Sequence, residues 1–198
     1  MIGLKHLSTS EENEIAKNLS TNRAKVFLES RSYIRESLGN LFNINPLNFP
    51  IKAFPGRIPK IPNKMGNVSI SHCQDAFVIV WYKENIGIDI ERSDRKFNYK
   101  AIAKKYLLKN KRNIEMTKTN VLSEWNAIEA AIKWDQGQLS KDLKEWEFIK
   151  NKEMILHKSK KIKLNLKQFD FYEWTISIAF QDKDFHNKRI IICNNSLN

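Results

Sequence analysis

All five prolines of the chain fall between Pro46 and Pro62. Proline fixes φ and removes a backbone donor, so the stretch from Asn45 to Lys64 is denied both helix and central strand and must run as an extended, backbone-rich loop. The hydrophobic period differs on its two sides. Upstream, Phe27, Ile34, Leu38 and Leu41 recur at roughly helical spacing, which predicts a helix over Thr21–Leu38 with Gly39 as its stop. Downstream the period is two: Val68–Ser71, Ala76–Tyr82 and Ile86–Glu91 read as strands with short connections, the middle one apolar enough to be buried on both faces. Helical spacing returns over Tyr99–Gly137, and strands are expected again at Glu147–Ile149, Lys161–Leu166, Tyr172–Ala179 and Arg189–Cys193. Helix followed by strands thus occurs twice, which predicts an α+β fold of two halves: an N-terminal subdomain over 1–86 and a C-terminal subdomain over 87–198.

A chain of 198 residues is long enough to bury a core without staples. No stretch approaches the ~18 uninterrupted apolar residues of a membrane span, and no apolar leader segment follows the first residues, so a membrane role is not expected. Two cysteines, Cys73 and Cys193, are too few for a disulfide framework, which points to a reducing, cytoplasmic setting. The four histidines show no zinc-binding spacing, so any metal should be held by oxygen. A net charge of +12 favours phosphates, nucleic acid or an acidic protein as partner, without choosing among them.

Three segments carry chemistry. In Gly87-Ile88-Asp89-Ile90-Glu91, strand alternation puts Gly87, Asp89 and Glu91 on one face and the isoleucines on the other. Two adjacent carboxylates repel, a cost that a cation offsets, and oxygen donors suit Mg²⁺, while Gly87 leaves room for a diphosphate. An edge strand with a solvated acidic face and Arg92 as counter-ion is the alternative. In Trp125-Asn-Ala-Ile-Glu129-Ala-Ala-Ile-Lys133, Trp125, Glu129 and Lys133 fall at i, i+4 and i+8 and share a helical face. Alanines on that helix allow close packing, although Glu followed by Lys at i+4 is also an ordinary surface pair. Ser69-Ile-Ser71-His72-Cys73 ends a strand in hydroxyl and imidazole groups. Adjacent strand residues point apart, so this is no catalytic dyad; phosphate binding or a capped strand end are the two readings.

Taken in this order and spacing, the three segments resemble the 4′-phosphopantetheinyl transferases of the Sfp type. Phe27-Leu-Glu-Ser-Arg31-Ser-Tyr-Ile-Arg35, similar to the family's arginine-bearing first helix, and the Gly56–Pro62 run agree with this, and the likeness spans roughly residues 23 to 148. The resemblance implies a pseudo-twofold pair of similar α/β subdomains with coenzyme A in the cleft between them. It implies Mg²⁺-dependent transfer of the 4′-phosphopantetheine arm from coenzyme A to a serine of an apo acyl or peptidyl carrier protein, releasing adenosine 3′,5′-bisphosphate. By the same resemblance Asp89, Glu91 and Glu129 hold Mg²⁺, Glu129 takes the serine proton and Lys133 steadies the leaving side. Arg31, Ser71 and His72, with Arg57 or Lys60, bind the coenzyme. A monomer is expected, and the carrier's acidic surface suits the basic charge. The family's lysine before the helical glutamate is here Ile128, and an acidic position after the metal strand is matched by the basic run Lys109-Asn-Lys111-Arg112. A coenzyme-A-binding homologue with lost or weak turnover is therefore one alternative. The other is a basic nucleic-acid-binding module using residues 104–118 and 158–167.

Overall fold

The computed structural model describes residues 7–52, 54–55, 58–73, 76–107 and 116–181. The expected strand Arg189–Cys193, Arg57 and the run from Lys109 to Arg112 lie outside these residues. Among the described residues the chain divides into two compact units, one up to Pro62 and one from Asn63 to Gln181.

The first unit opens with α1 (Ser10–Lys17), which the periodicity does not announce but the termini do. Thr9 and Glu12 form a capping box, each side chain bonding the other's backbone N–H. Helix α2 (Thr21–Phe42) runs past its expected stop at Gly39. A side chain at Gly39 would collide with the carbonyl of Ile44 and the ring of Pro46, so glycine serves the return of the chain rather than the end of the helix. The stop is Asn43, at φ 53°, a left-handed conformation that asparagine tolerates. Arg35 is buried and ties these parts together. It makes a forked ion pair with Glu12 of α1 and donates to the carbonyl of Phe49 at 2.8 Å. Among its described residues the proline segment is, as expected, without α-helix or sheet apart from 3₁₀ turns at Pro46–Asn48 and Asn63–Met65 and one pair of backbone bonds between Lys52 and Lys60.

The second unit is mixed α and β. Strands β1 (Asn67–Cys73) and β2 (Ala76–Tyr82) form a two-stranded antiparallel sheet. Expected to be buried on both faces, β2 is instead half-buried from Ala76 to Trp81, because β1 is its one hydrogen-bonded neighbour. A five-stranded antiparallel sheet combines β3 (Ile86–Arg92), β4 (Trp146–Ile149), β5 (Met154–His157), β6 (Lys163–Phe171) and β7 (Trp174–Phe180) in the order β3-β7-β6-β5-β4. The helical region expected over Tyr99–Gly137 is broken: α3 (Tyr99–Ile102) passes into a π-helical turn at Ala103–Leu107, and α4 spans Lys118–Trp134. A short α5 (Leu139–Asp142) follows. Among the described residues there are thus two sheets and five α-helices, an α+β arrangement.

Helix α4 packs across one face of the larger sheet. Ala127, Ile128, Ala130, Ala131 and Ile132 meet Phe148, Ile155, Leu164, Leu166 and Ala179 in the core. Burying such side chains contributes roughly 1.5–3 kcal/mol each for the larger ones, which is what fixes the helix on the sheet. No helix of the described residues is long and apolar enough to cross a membrane.

Candidate functional site

Strand alternation works as the sequence requires. Ile86, Ile88 and Ile90 are each 4% exposed on one face, and Gly87, Asp89 and Glu91 occupy the face that α4 covers. Gly87 does not make room for a ligand, contrary to expectation. A Cβ there would strike the carbonyl of Ala130 and the amide of Trp134, so its bare backbone lets α4 come down onto β3. The fully buried Ala127, Ala130 and Ala131 are the other half of that contact. Because the obstacle is helix backbone, Gly87→Ala should cost about 2–4 kcal/mol in urea denaturation. A loss below about 1 kcal/mol would mean that helix and strand are not held at this distance.

This close approach brings the α4 side chains onto the acids of β3. Asp89, 2% exposed, is the hub. Its Oδ1 accepts from Ser71 Oγ at 2.8 Å and from Lys133 Nζ at 2.6 Å, and its Oδ2 accepts from Asn126 Nδ2 at 3.0 Å. Lys133 Nζ also donates to Ser71 Oγ at 2.7 Å, which closes a triangle of Ser71, Asp89 and Lys133. The Lys133 ammonium therefore reaches across to the strand instead of pairing with Glu129 one turn back, and the i, i+4 surface pair allowed by the sequence is not formed among the described residues. Glu91 is 8% exposed, ion-paired with Arg95 and approached by Cys73 Sγ at 3.7 Å. Burial pushes the Cys73 thiol up, and the Glu91 charge adds to that.

Glu129 is the most perturbed acid of the site. Burial first, then the charges of Asp89 and Glu91, push its carboxyl from 4.5 up to about 8; the Lys133 ammonium and a hydrogen bond with Trp125 pull the other way. Three carboxylates are thus within mutual electrostatic reach on two facing elements. Between about 4.5 and about 8 the folded protein holds a proton that the unfolded chain has released, so stability falls as pH rises through that window. Glu129→Gln removes this slope. Its melting temperature should exceed wild type at pH 8 and match it near pH 5, a difference that scanning calorimetry reads directly; parallel pH curves for the two proteins would contradict the burial of this charge.

Ser71, Asp89, Glu91, Glu129 and Lys133 are brought together within the second unit. Ser71 is buried against Asp89 as a partner of the carboxylate, while His72, next along β1, is exposed on the other side of the strand. Arg31 and Lys60 belong to the first unit. Arg31 is 6% exposed, stacked 4.4 Å over the Phe27 ring and bonded to Ser30 Oγ; burial lowers its guanidinium to about 10, against the charge of Glu12 and with that of Arg35. Lys60 is exposed, with its backbone paired to Lys52. Ile128 is 1% exposed and packs in the core.

Sequence reasoning passed over Asn126. It is fully buried, holds Asp89 Oδ2 and reaches the carbonyl of Thr175 at 3.3 Å, while its own Oδ1 has no partner among the described residues. Its spacing offered the signal: it stands three residues before Glu129 and seven before Lys133, on the same helical face. Among the described residues no three His, Cys, Asp or Glu side chains are gathered as a ready metal cage. No family model matches the chain, and no curated protein matches it.

Proposed function

We propose that the chain transfers the 4′-phosphopantetheine arm of coenzyme A to a serine of an apo acyl or peptidyl carrier protein, with Mg²⁺, on a pseudo-twofold pair of similar subdomains. The observation that carries this reading is that Asp89 and Glu91 act electrostatically on Glu129 while Lys133 binds Asp89, all under a helix held tight against its strand. A fold gains little stability from three acids crowded in this way, and a carboxyl displaced to about 8 has a poised proton equilibrium suited to acid–base work near neutral pH.

The donor set suits Mg²⁺. Asp89, Glu91 and Glu129 offer hard oxygen ligands, and the unpartnered Asn126 Oδ1 is a further buried acceptor beside them. The ion would neutralise negative charge on a bound diphosphate. In the transfer, the serine oxygen bonds to the phosphorus that carries the pantetheine arm and the bond from that phosphorus to the bridging oxygen breaks. Adenosine 3′,5′-bisphosphate leaves with the electron pair. Glu129 accepts the serine proton; Lys133, in reach of the same space, offsets charge on the departing phosphate. Ser71 and Asn126 act through Asp89, holding its carboxylate in one orientation. Among the residues expected to meet the coenzyme's phosphates, His72 belongs to the same unit as the acids and is exposed, and the +12 charge attracts an acidic carrier.

A second reading, coenzyme A binding without turnover, is favoured by Ile128, which puts an apolar side chain into the core where the family carries lysine. Thermal melts test binding: Mg²⁺ with coenzyme A should raise the melting temperature by several degrees, and duplex or single-stranded nucleic acid should not. Stabilisation by nucleic acid alone would replace both coenzyme readings with a basic nucleic-acid-binding module.

A further inference from the structure

The pairing at Asp89 has a consequence for how a metal ion enters. Oδ1 already accepts two hydrogen bonds, from Ser71 and Lys133, and so has no lone pair to spare. Oδ2 accepts from Asn126 and keeps one. Mg²⁺ bonds oxygen at about 2.0–2.1 Å. An ammonium 2.6 Å from the same carboxylate would then stand next to a divalent ion, a repulsion far greater than thermal energy in a partly buried site. The two cations are competitors for one anion. Glu91 already has Arg95, and Lys133 Nζ lies 2.6 Å from Asp89 Oδ1, so the charge of Asp89 is the one that Lys133 answers.

We propose that Lys133 is the built-in counter-cation of this site: it holds Asp89 while no metal ion is bound and is displaced from Asp89 when a divalent cation arrives. The inference builds on the magnesium-dependent reading above. Displacement does two things at once. It opens Asp89 Oδ1 as a ligand, and it frees an ammonium on the next turn from Glu129, where an anionic ligand of the ion is to be expected. The lysine side chain is 30% exposed, so it has room to swing. Without the ion, Lys133 spares the fold an unpaired buried carboxylate. With it, the same residue becomes a positioning group for phosphate.

Two measurements on the full chain separate this from its alternatives. Reductive methylation read by peptide mass spectrometry should find Lys133 slow to react in chelator-treated protein and several-fold faster at saturating Mg²⁺, with other lysines unchanged. Calorimetric titration with Mg²⁺ alone should give a dissociation constant at least about tenfold tighter for Lys133→Met than for wild type, because the competitor is gone, and no such gain for Lys133→Arg, which keeps the charge. Unchanged Lys133 reactivity in protein that demonstrably binds Mg²⁺, or equal affinity in wild type and Lys133→Met, would overturn the displacement and leave the magnesium site standing. Failure of both wild type and Lys133→Met to bind Mg²⁺ at millimolar concentration would overturn the site itself.

Discussion

Asp89→Asn is expected to lower carrier modification at least about a thousandfold in kcat/KM while leaving a folded protein. The change is nearly isosteric and keeps one acceptor oxygen for Ser71 and Lys133, while its new amide nitrogen faces Asn126, whose unpartnered Oδ1 can turn to accept from it; what it removes is the negative charge on which both the ammonium and a divalent ion depend. The loss in stability should be modest, about 1–2 kcal/mol, since the Lys133 side chain can turn to solvent. Alanine is the less informative substitution here. It would strand the Asn126 amide and the Ser71 hydroxyl in a buried setting, each at a cost of about 1–3 kcal/mol, and would confuse unfolding with loss of chemistry. Steady-state kinetics beside a urea melt separate the two effects, and activity of Asp89→Asn within about tenfold of wild type would remove Asp89 from the reaction.

Glu129→Gln should move activity and stability in opposite directions. Glutamine cannot take the serine proton and supplies no charge to a metal ion, so transfer should fall at least about a hundredfold. The same substitution removes a half-buried carboxyl held up at about 8, and at that pH the variant should melt higher than wild type. A group that weakens the fold where it stands and is required for turnover is the signature of a functional residue, and no structural role for Glu129 produces that pair of results. If turnover and melting temperature fall together, Glu129 is part of the scaffold.

The sequence was most legible where a period was long and uninterrupted. The alternation of Gly87 to Glu91 and the i, i+4, i+8 spacing of Trp125, Glu129 and Lys133 fixed which side chains share a face, and both faces are as read. Short elements were not legible. Strand β5 offers four residues, Met154 to His157, and owes its strand state to its antiparallel pairing with β4 and β6. Helix α1 has too few apolar residues to show a period, although Thr9 and Glu12 carry a readable capping box.

What spacing could not give was partnership across the chain. Lys133 chooses between Glu129, four residues away, and Asp89, forty-four residues away, and takes the distant one, because Gly87 and the alanines bring α4 onto β3. The role of Gly87 is itself invisible in sequence, since a glycine that admits a ligand and one that admits a helix look alike. Asn126 belongs to the same kind: its meaning lies in Asp89, thirty-seven residues earlier.

The most direct test is a mass spectrum of apo carrier proteins, drawn from fatty-acid, polyketide and peptide systems, after incubation with the protein, Mg²⁺ and coenzyme A. At least one carrier should gain the mass of a single 4′-phosphopantetheine group on its acceptor serine, with adenosine 3′,5′-bisphosphate in the supernatant and no gain when Asp89→Asn replaces wild type or when a chelator is present. Unmodified carriers throughout, from protein whose melting temperature rises with Mg²⁺ and coenzyme A, would contradict the transferase and leave a coenzyme-binding protein in its place.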